Sequence, residues 1–544
     1  MMRKLFEKKI FVAVFIFLLP LLICLQAREV FADNEGDAKT FFINKSFDSK
    51  GREQISAFLQ KAGNSAYFYL DREWFDSLES DKKAVIQSDL NIISLEFDNV
   101  IYPKLTEFYG QEWNPGIDSD RKITILFHPM IQDASGYFTN GDEYSKYQIP
   151  TSNEREMIYV NSSLIFYTAV KSYIAHEFTH LITFNQKDRL RNVGEEVWLN
   201  ELRAEYAPTY LKYDDDYVGS NLEQRVKQFL SNPSAPLTEW LNQSKDYGVV
   251  NIFGEYLTDH YNPKILGDSL KSSKIGIPSL SEALQLNGVT KSFSDVFTDF
   301  TIAVFLNDCS LKREYCFSGP NLSRFKISPS LIFLPSTEKT QFRLDYSTKE
   351  WAGNWYRIVG GHGDLKISFS GESRVTFKIP YVICGISSNC EVRSIALNYY
   401  NSGEVTIKDF GTTFGSLTII PSVQNKLIGF DGREPSYNFS ISASMQMKGS
   451  TGGNFDCSQI RSNLYFGMVN NNEVRCLQQI LKNEGQAVYR EGYVTGNFYS
   501  LTYAAVIRFQ EKYASEILAP TGLRKGTGYV GPATRKKINE LLLK

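Results

Sequence analysis

The spacing of apolar and polar positions divides the chain into stretches of different character. Residues 67–70, 123–127 and 157–160 are short runs of β-branched and aromatic side chains, and each predicts a strand. Residues 83–109 carry helical periodicity instead. From about 163 to 318 the pattern is helical, with long segments near 165–186, 195–211, 222–231, 247–261 and 291–307. From about 328 to 447 it changes to alternating runs broken by Gly, Asn and Ser, such as 366–370 and 373–379, which predicts a β-sandwich. Residues 449–454 are Gly- and Ser-rich and read as a flexible linker, and 457–544 is helical again.

The first 32 residues stand apart. Arg3, Lys4, Lys8 and Lys9 precede an apolar run over 10–25 that contains Pro20, and Ala32 stands just before Asp33. Basic start, apolar middle and small residue at the cut describe a secretory signal peptide. The 16-residue run falls short of the ~20 that span a bilayer comfortably, and an uncleaved anchor is the alternative. Cys24 follows Ile23, where bacterial lipoprotein signals have Gly, Ala or Ser, so lipidation is not expected. No second stretch is apolar enough to span a membrane. The expected destination is therefore extracytoplasmic, secreted or held at a bacterial cell wall.

That destination gives the cysteines meaning. Six of the seven remain after residue 32, and they fall as local pairs in three different segments. Six cysteines allow 15 connectivities. An oxidising compartment favours the local set Cys309–Cys316, Cys384–Cys390 and Cys457–Cys476. None lies in a C-x-x-C pair, so a Cys-based metal or redox site is not expected.

Composition narrows the function classes. The 544 residues are 42% hydrophobic and 14% aromatic, enough for several packed cores. A formal charge of −2 argues against a nucleic-acid binder. That value is a cancellation: residues 33–456 carry −11 and residues 457–544 carry +6.

The chemistry lies in 174–184. His176 and His180 are one helical turn apart on one face, so both imidazoles reach a single ion, and Glu177 is placed to hold a water against it. Two imidazoles and a carboxylate suit zinc and leave a fourth position for water. Glu201, with twenty residues between it and His180, is the expected third ligand on a returning helix. His128 and His362 read as structural.

His-Glu-x-x-His followed by Asn200-Glu201 resembles the gluzincin metallopeptidases, and the segment Trp198 to Tyr206 resembles the aminopeptidase pattern except at Leu202, where Gly is usual. The runs 175–182 and 198–201 are most similar to the hyicolysin-like secreted bacterial peptidases. The resemblance spans about 40–318, with specific motifs between 176 and 206. It implies an α+β zincin-type catalytic domain over 33–325, an acid at Glu205 that accepts the free N–H of the first ligand His, and Glu177 as general base. Glu195 and Glu196 are alternatives for that acid. The segment 246–257 resembles the aminopeptidase stretch whose leading Tyr assists the oxyanion, which implies that role for Tyr247, with His260 or plain packing as alternatives. Residues 136–139 are a candidate edge strand for an extended substrate, with plain sheet packing the alternative.

Residues 470–543 resemble the peptidoglycan-binding three-helix domain, through Leu477-Gln478, Ala505 to Gln510 and Gly531-Pro532-Ala533-Thr534-Arg535. Leu477, Ile480, Leu481, Val506 and Phe509 are at helical spacing and are its expected core. The +6 charge suits an anionic wall. The sandwich (328–447) shows no chemistry; spacer, carbohydrate contact and stabilising partner stay open, and 448–456 links it to the tail. The combined expectation is a secreted zinc endopeptidase tethered to the wall. The alternatives are a peptidoglycan-peptide hydrolase or aminopeptidase at the same site, or a non-catalytic wall-binding protein.

Overall fold

The computed structural model describes residues 32–542 except 335–338, 387–388, 431, 447–456 and 470. The expected leader up to residue 31 and the expected linker 448–456 lie outside the described residues. Among the described residues no helix is long and apolar enough to cross a membrane. The chain divides into two compact units: residues up to 195 with 200–222 and 266–275, and residues 196–199 with 223–265 and 276 onward.

In the first unit a six-stranded sheet has the order β1-β2-β3-β4-β6-β5. Its strands are β1 (Ala38–Phe42), β2 (Gln54–Ala62), β3 (Ala66–Asp71), β4 (Ile123–His128), β5 (Gly136–Tyr137) and β6 (Met157–Asn161). The three runs predicted as strands are its centre: β3 pairs parallel with β4, and β4 parallel with β6. Every residue of these three is buried, so both faces are covered and the runs are continuously apolar instead of alternating. β1 and β2 close one side as an antiparallel pair, and β5 forms the other edge, antiparallel to β6.

The predicted helical stretch 83–109 is two helices, Ser80–Glu96 and Tyr102–Tyr109, joined without a break by a wider turn at Phe97–Ile101. Phe97 meets Phe68 of β3 and Phe178 edge-on, and Tyr102 stacks on Phe178 at 5.5 Å. Phe178 belongs to the helix Val170–Thr183, which carries both candidate histidines. Ile174, Ala175, Phe178, Leu181 and Ile182 are buried on it, so packing on several sides holds this helix.

Its continuation is locked by a buried charge cluster. Lys187 and Arg203, both fully buried, share the Glu195 carboxylate at 3.3 and 2.8 Å. Lys187 also donates to the carbonyls of Ser269, Ser272 and Lys274. Losing any one partner would leave a buried charge uncompensated, so the cluster fixes where the helix Val197–Tyr210 begins its return. Leu202, at the position where Gly is usual in the aminopeptidase pattern, is fully buried in the core.

The second unit contains the helices Ser244–Tyr261 and Phe293–Leu306, a β domain and the C-terminal helices. The alternating runs form strands, as expected. Nine strands fall into two hydrogen-bonded groups that are joined only at the Phe410–Phe414 pair and share one core including Ile358, Ile367, Phe369, Leu417 and Ile441. Within its group the strand Phe414–Ile419 lies between Pro380–Gly385 and Tyr356–Gly360. The tail holds three main helices, Asn472–Asn483, Ser500–Lys512 and Pro532–Leu542, and its expected core residues are buried. The disulfides are Cys309–Cys316, Cys384–Cys390 and Cys457–Cys476, the local set.

Candidate metal centre

His176 and His180 point their Nε2 atoms at one another, 3.1 Å apart, with the rings nearly perpendicular. Glu201 brings its carboxylate to 3.4 Å from His176 Nε2 and 3.7 Å from His180 Nε2. Ligand atoms from the three residues lie within 4.8 Å of one another, and among the described residues no other group of three or more His, Cys, Asp or Glu meets that standard.

The far sides of both rings explain why the Nε2 atoms converge. His176 Nδ1 lies 3.3 Å from Glu205 Oε1, and His180 Nδ1 lies 3.0 Å from Asn200 Oδ1. An ionised carboxylate and an amide oxygen only accept, so each Nδ1 carries the proton. With both rings neutral, the two Nε2 lone pairs face the same space, where a proton in the bare protein or a metal ion relieves their repulsion. Two ligands at ~2.05 Å on a tetrahedral zinc sit about 3.3 Å apart. The 3.1 Å between the Nε2 atoms and the 3.4 Å from His176 Nε2 to Glu201 Oε2 are close to that spacing, and Glu201 Oε1 is the oxygen nearer His180.

Electrostatics in the bare protein point the same way. Burial opposes a charged His176, but the Glu201 hydrogen bond and the charges of Glu177, Glu205 and Glu201 outweigh it and push its pKa up to about 9. Burial lowers that of His180, and the neighbouring His176 adds to this. The cluster of acids thus draws a positive charge into the space between the rings, a demand a dication meets more fully. Glu177 is buried, and burial with the Glu201 and Glu205 charges, opposed by His176, pushes its pKa up to about 8. Among the described residues no hydrogen-bond donor holds its carboxylate.

β5 comes close to this glutamate. A side-chain carbon at Gly136 would stand 2.9 Å from Glu177 Oε1 and 2.8 Å from the Tyr159 carbonyl oxygen. Gly136 is therefore the residue that lets the edge strand lie against Glu177. Residues 136 and 137 form that strand, and its outer edge has no strand partner among the described residues.

No protein-family model and no curated protein matches the sequence. Among solved structures, the pre-peptidase C-terminal domain of a collagenase from Bacillus anthracis is similar at 16% identity and TM-score 0.13, over 21% of this chain and 94% of its own. The Yersinia pseudotuberculosis-derived mitogen is similar at 9% identity and TM-score 0.14, over 21% and 92%. The periplasmic inhibitor of g-type lysozyme from Aeromonas hydrophila is similar at 11% identity and TM-score 0.14, over 22% and 100%. At such scores these likenesses carry no argument about fold or function.

The remaining candidates are placed as follows. Glu205 is fully buried and is the acid that reaches His176. Glu195 belongs to the Lys187–Arg203 cluster, and Glu196 accepts from Trp198 Nε1 and the N–H of Gly429. Tyr247 lies in the second unit, where its hydroxyl donates to Asn242 Oδ1 at 2.8 Å and its ring packs on Trp240 and under Arg225. His260 bonds the Cys316 carbonyl at 2.9 Å, and His128 is buried beside Asp48 and Tyr137. Both His residues have structural partners. Asn200 at His180 Nδ1 and the close approach of Gly136 to Glu177 are contacts that pattern reading does not assign. The pairing of Asn200 with Glu201 in the motif was the available signal for the first; the second lies in the expected edge strand 136–139, but nothing in the sequence marks its approach to Glu177.

Proposed function

We propose that the chain is a zinc-dependent peptidase, with His176, His180 and Glu201 as metal ligands and Glu177 as general base. The observation that carries the reading is the convergence of two Nε2 lone pairs and a carboxylate while Glu205 and Asn200 occupy both Nδ1 atoms. Zinc bound there would supply Lewis acidity and lower the pKa of a water.

The protein's own residues divide the rest of the work. Glu205 and Asn200 fix the tautomer and orientation of the two rings. Glu177 takes a proton from the attacking water and returns it to the leaving amine. The free edge of β5 offers backbone N–H and C=O groups to an extended peptide beside Glu177. An endopeptidase is favoured over an aminopeptidase because an open strand edge suits a chain that continues in both directions. We place the protein outside the cytoplasm, in keeping with its three disulfides. The basic C-terminal module would hold it at peptidoglycan through residues 457–544.

A peptide-library digest run beside purified wall sacculi tests the activity and its substrate together. Cleavage of peptides by the wild type and none by Glu177→Gln is the expected result. Equal cleavage by Glu177→Gln removes Glu177 as base, and release of wall peptides alone moves the substrate to peptidoglycan stems.

A further inference from the structure

The C-terminal module is one folding unit used twice. Gln478 Nε2 donates to Thr495 Oγ1, the Asn497 carbonyl and Thr502 Oγ1 at 3.2, 2.9 and 2.8 Å. Its Oε1 accepts from the N–H groups of Thr495 and Gly496. Gln510 makes the same five bonds 32 positions on, to Thr527 Oγ1, the Tyr529 carbonyl and Thr534 Oγ1, and from Thr527 and Gly528. Gly496 and Gly528 both have positive φ, +76° and +69°, which the clamped loop requires. Core positions correspond as well: Val474 with Val506, Leu477 with Phe509, and Phe498 with Val530, all buried. The N-terminal arm treats the halves alike, pairing Gly467 and Met468 with Phe498, and Leu464 with Val530.

Two halves that fold alike give an internal comparison. Where their surfaces differ, the fold has not dictated the residue. Positions 499 and 503 are Tyr and Tyr in the first half, and their counterparts are Gly531 and Arg535. Tyr499 and Tyr503 are 44% and 38% exposed, and Phe466 of the arm, 57% exposed, stands edge-on to both rings at 6.2 Å. Tyr503 is held in place, because its ring lies where a side-chain carbon on Gly528 would come within 2.2 Å. Three exposed rings thus form one face, with Tyr503 fixed against Gly528. The same module has twelve basic and six acidic residues.

We infer that Phe466, Tyr499 and Tyr503 form the sugar-contacting face of this module, and that its occupant is the glycan strand of peptidoglycan. Pyranose rings present apolar C–H faces that stack on aromatic plates, and pre-positioned rings give contact area at little entropic cost. The excess of basic residues complements the free carboxylates of the stem peptides attached to such a strand. This rests on the reading of residues 457–544 as a wall anchor and adds which face of the anchor meets the wall.

The test is co-sedimentation of the full chain with purified sacculi stripped of teichoic acid. Wild type should pellet, and Phe466→Ala and Tyr503→Ala should each bind about tenfold more weakly. Oligosaccharides of N-acetylglucosamine should release the wild type. Phe466→Ala, on the exposed arm, should melt with the wild type and so separates lost contact from lost fold. Wild type that pellets no better than its variants, or that resists saturating oligosaccharide, overturns the aromatic face and leaves the wall anchor standing. Wild type that stays in the supernatant overturns the anchor itself.

Discussion

Gly136→Ala tests the link between the edge strand and the general base. The new methyl carbon would lie 2.8 Å from the Tyr159 carbonyl oxygen, 2.9 Å from Glu177 Oε1 and 3.0 Å from Glu177 Cγ. Ordinary contact is about 3.5–4.0 Å. The Tyr159 carbonyl is backbone in the buried strand β6, so the Glu177 side chain must yield, by about 0.5–1 Å. A misplacement of about 1 Å at a reacting group costs on the order of 100-fold. We therefore expect kcat for a casein-derived peptide to fall by about 10- to 100-fold. Overpacking should lower stability by about 1–3 kcal/mol, read as a reduced Tm. Zinc content should not change, because no ligand is touched. Gly141→Ala, where the added carbon meets nothing nearer than 3.4 Å, is the control and should keep full activity. A folded Gly136→Ala enzyme with wild-type kcat would refute the placement of Glu177 against β5.

Glu205→Gln removes the charge facing His176 Nδ1 while keeping its size, and should weaken zinc binding by about 10- to 100-fold in chelator competition; unchanged affinity contradicts its orienting role. A pH effect is expected away from the site. Burial, then the charges of Glu156, Asp142 and Asp118, hold Glu143 well above the usual carboxyl range, and burial pushes Glu156 up to about 8. Folded values above the unfolded ones mean that the pair retains protons on folding. Their stabilisation is complete below the ordinary value of 4.5 and is lost as pH rises through about 8. Thermal melts should therefore fall in Tm across that window, and Glu143→Gln should flatten the fall; a wild-type Tm that rises instead contradicts the pairing. Gln478→Ala and Gln510→Ala each remove a five-bond clamp and should destabilise the tail by about 2–4 kcal/mol, to a similar extent, in urea titration. A large effect from only one of them contradicts the repeat.

Much of this was legible in the chain because some patterns fix geometry locally. A four-residue spacing puts His176 and His180 on one helix face whatever surrounds them, and the local cysteine pairs could close without help from the rest of the fold. Continuous apolar runs marked β3, β4 and β6 because both of their faces are covered. Pairing partners were less accessible. Alternation in 328–447 says which side chains point inward but not which strands bond, so it predicts the β domain without its strand order. Gly136 carries no side chain to signal its role, which depends on contact with a helix some forty residues away. The tail repeat was hidden for a related reason: its clamps fix few side chains, spread over long spacings, while the surface positions between them diverge.

The most direct test of the metal centre is the zinc content of the purified chain set beside that of two variants. Wild type should hold about one zinc per chain, His176→Ala should hold almost none, and Glu177→Gln should keep it while losing peptide cleavage. Undiminished zinc in His176→Ala, or a wild type that cleaves peptides after its zinc is stripped, would contradict the account.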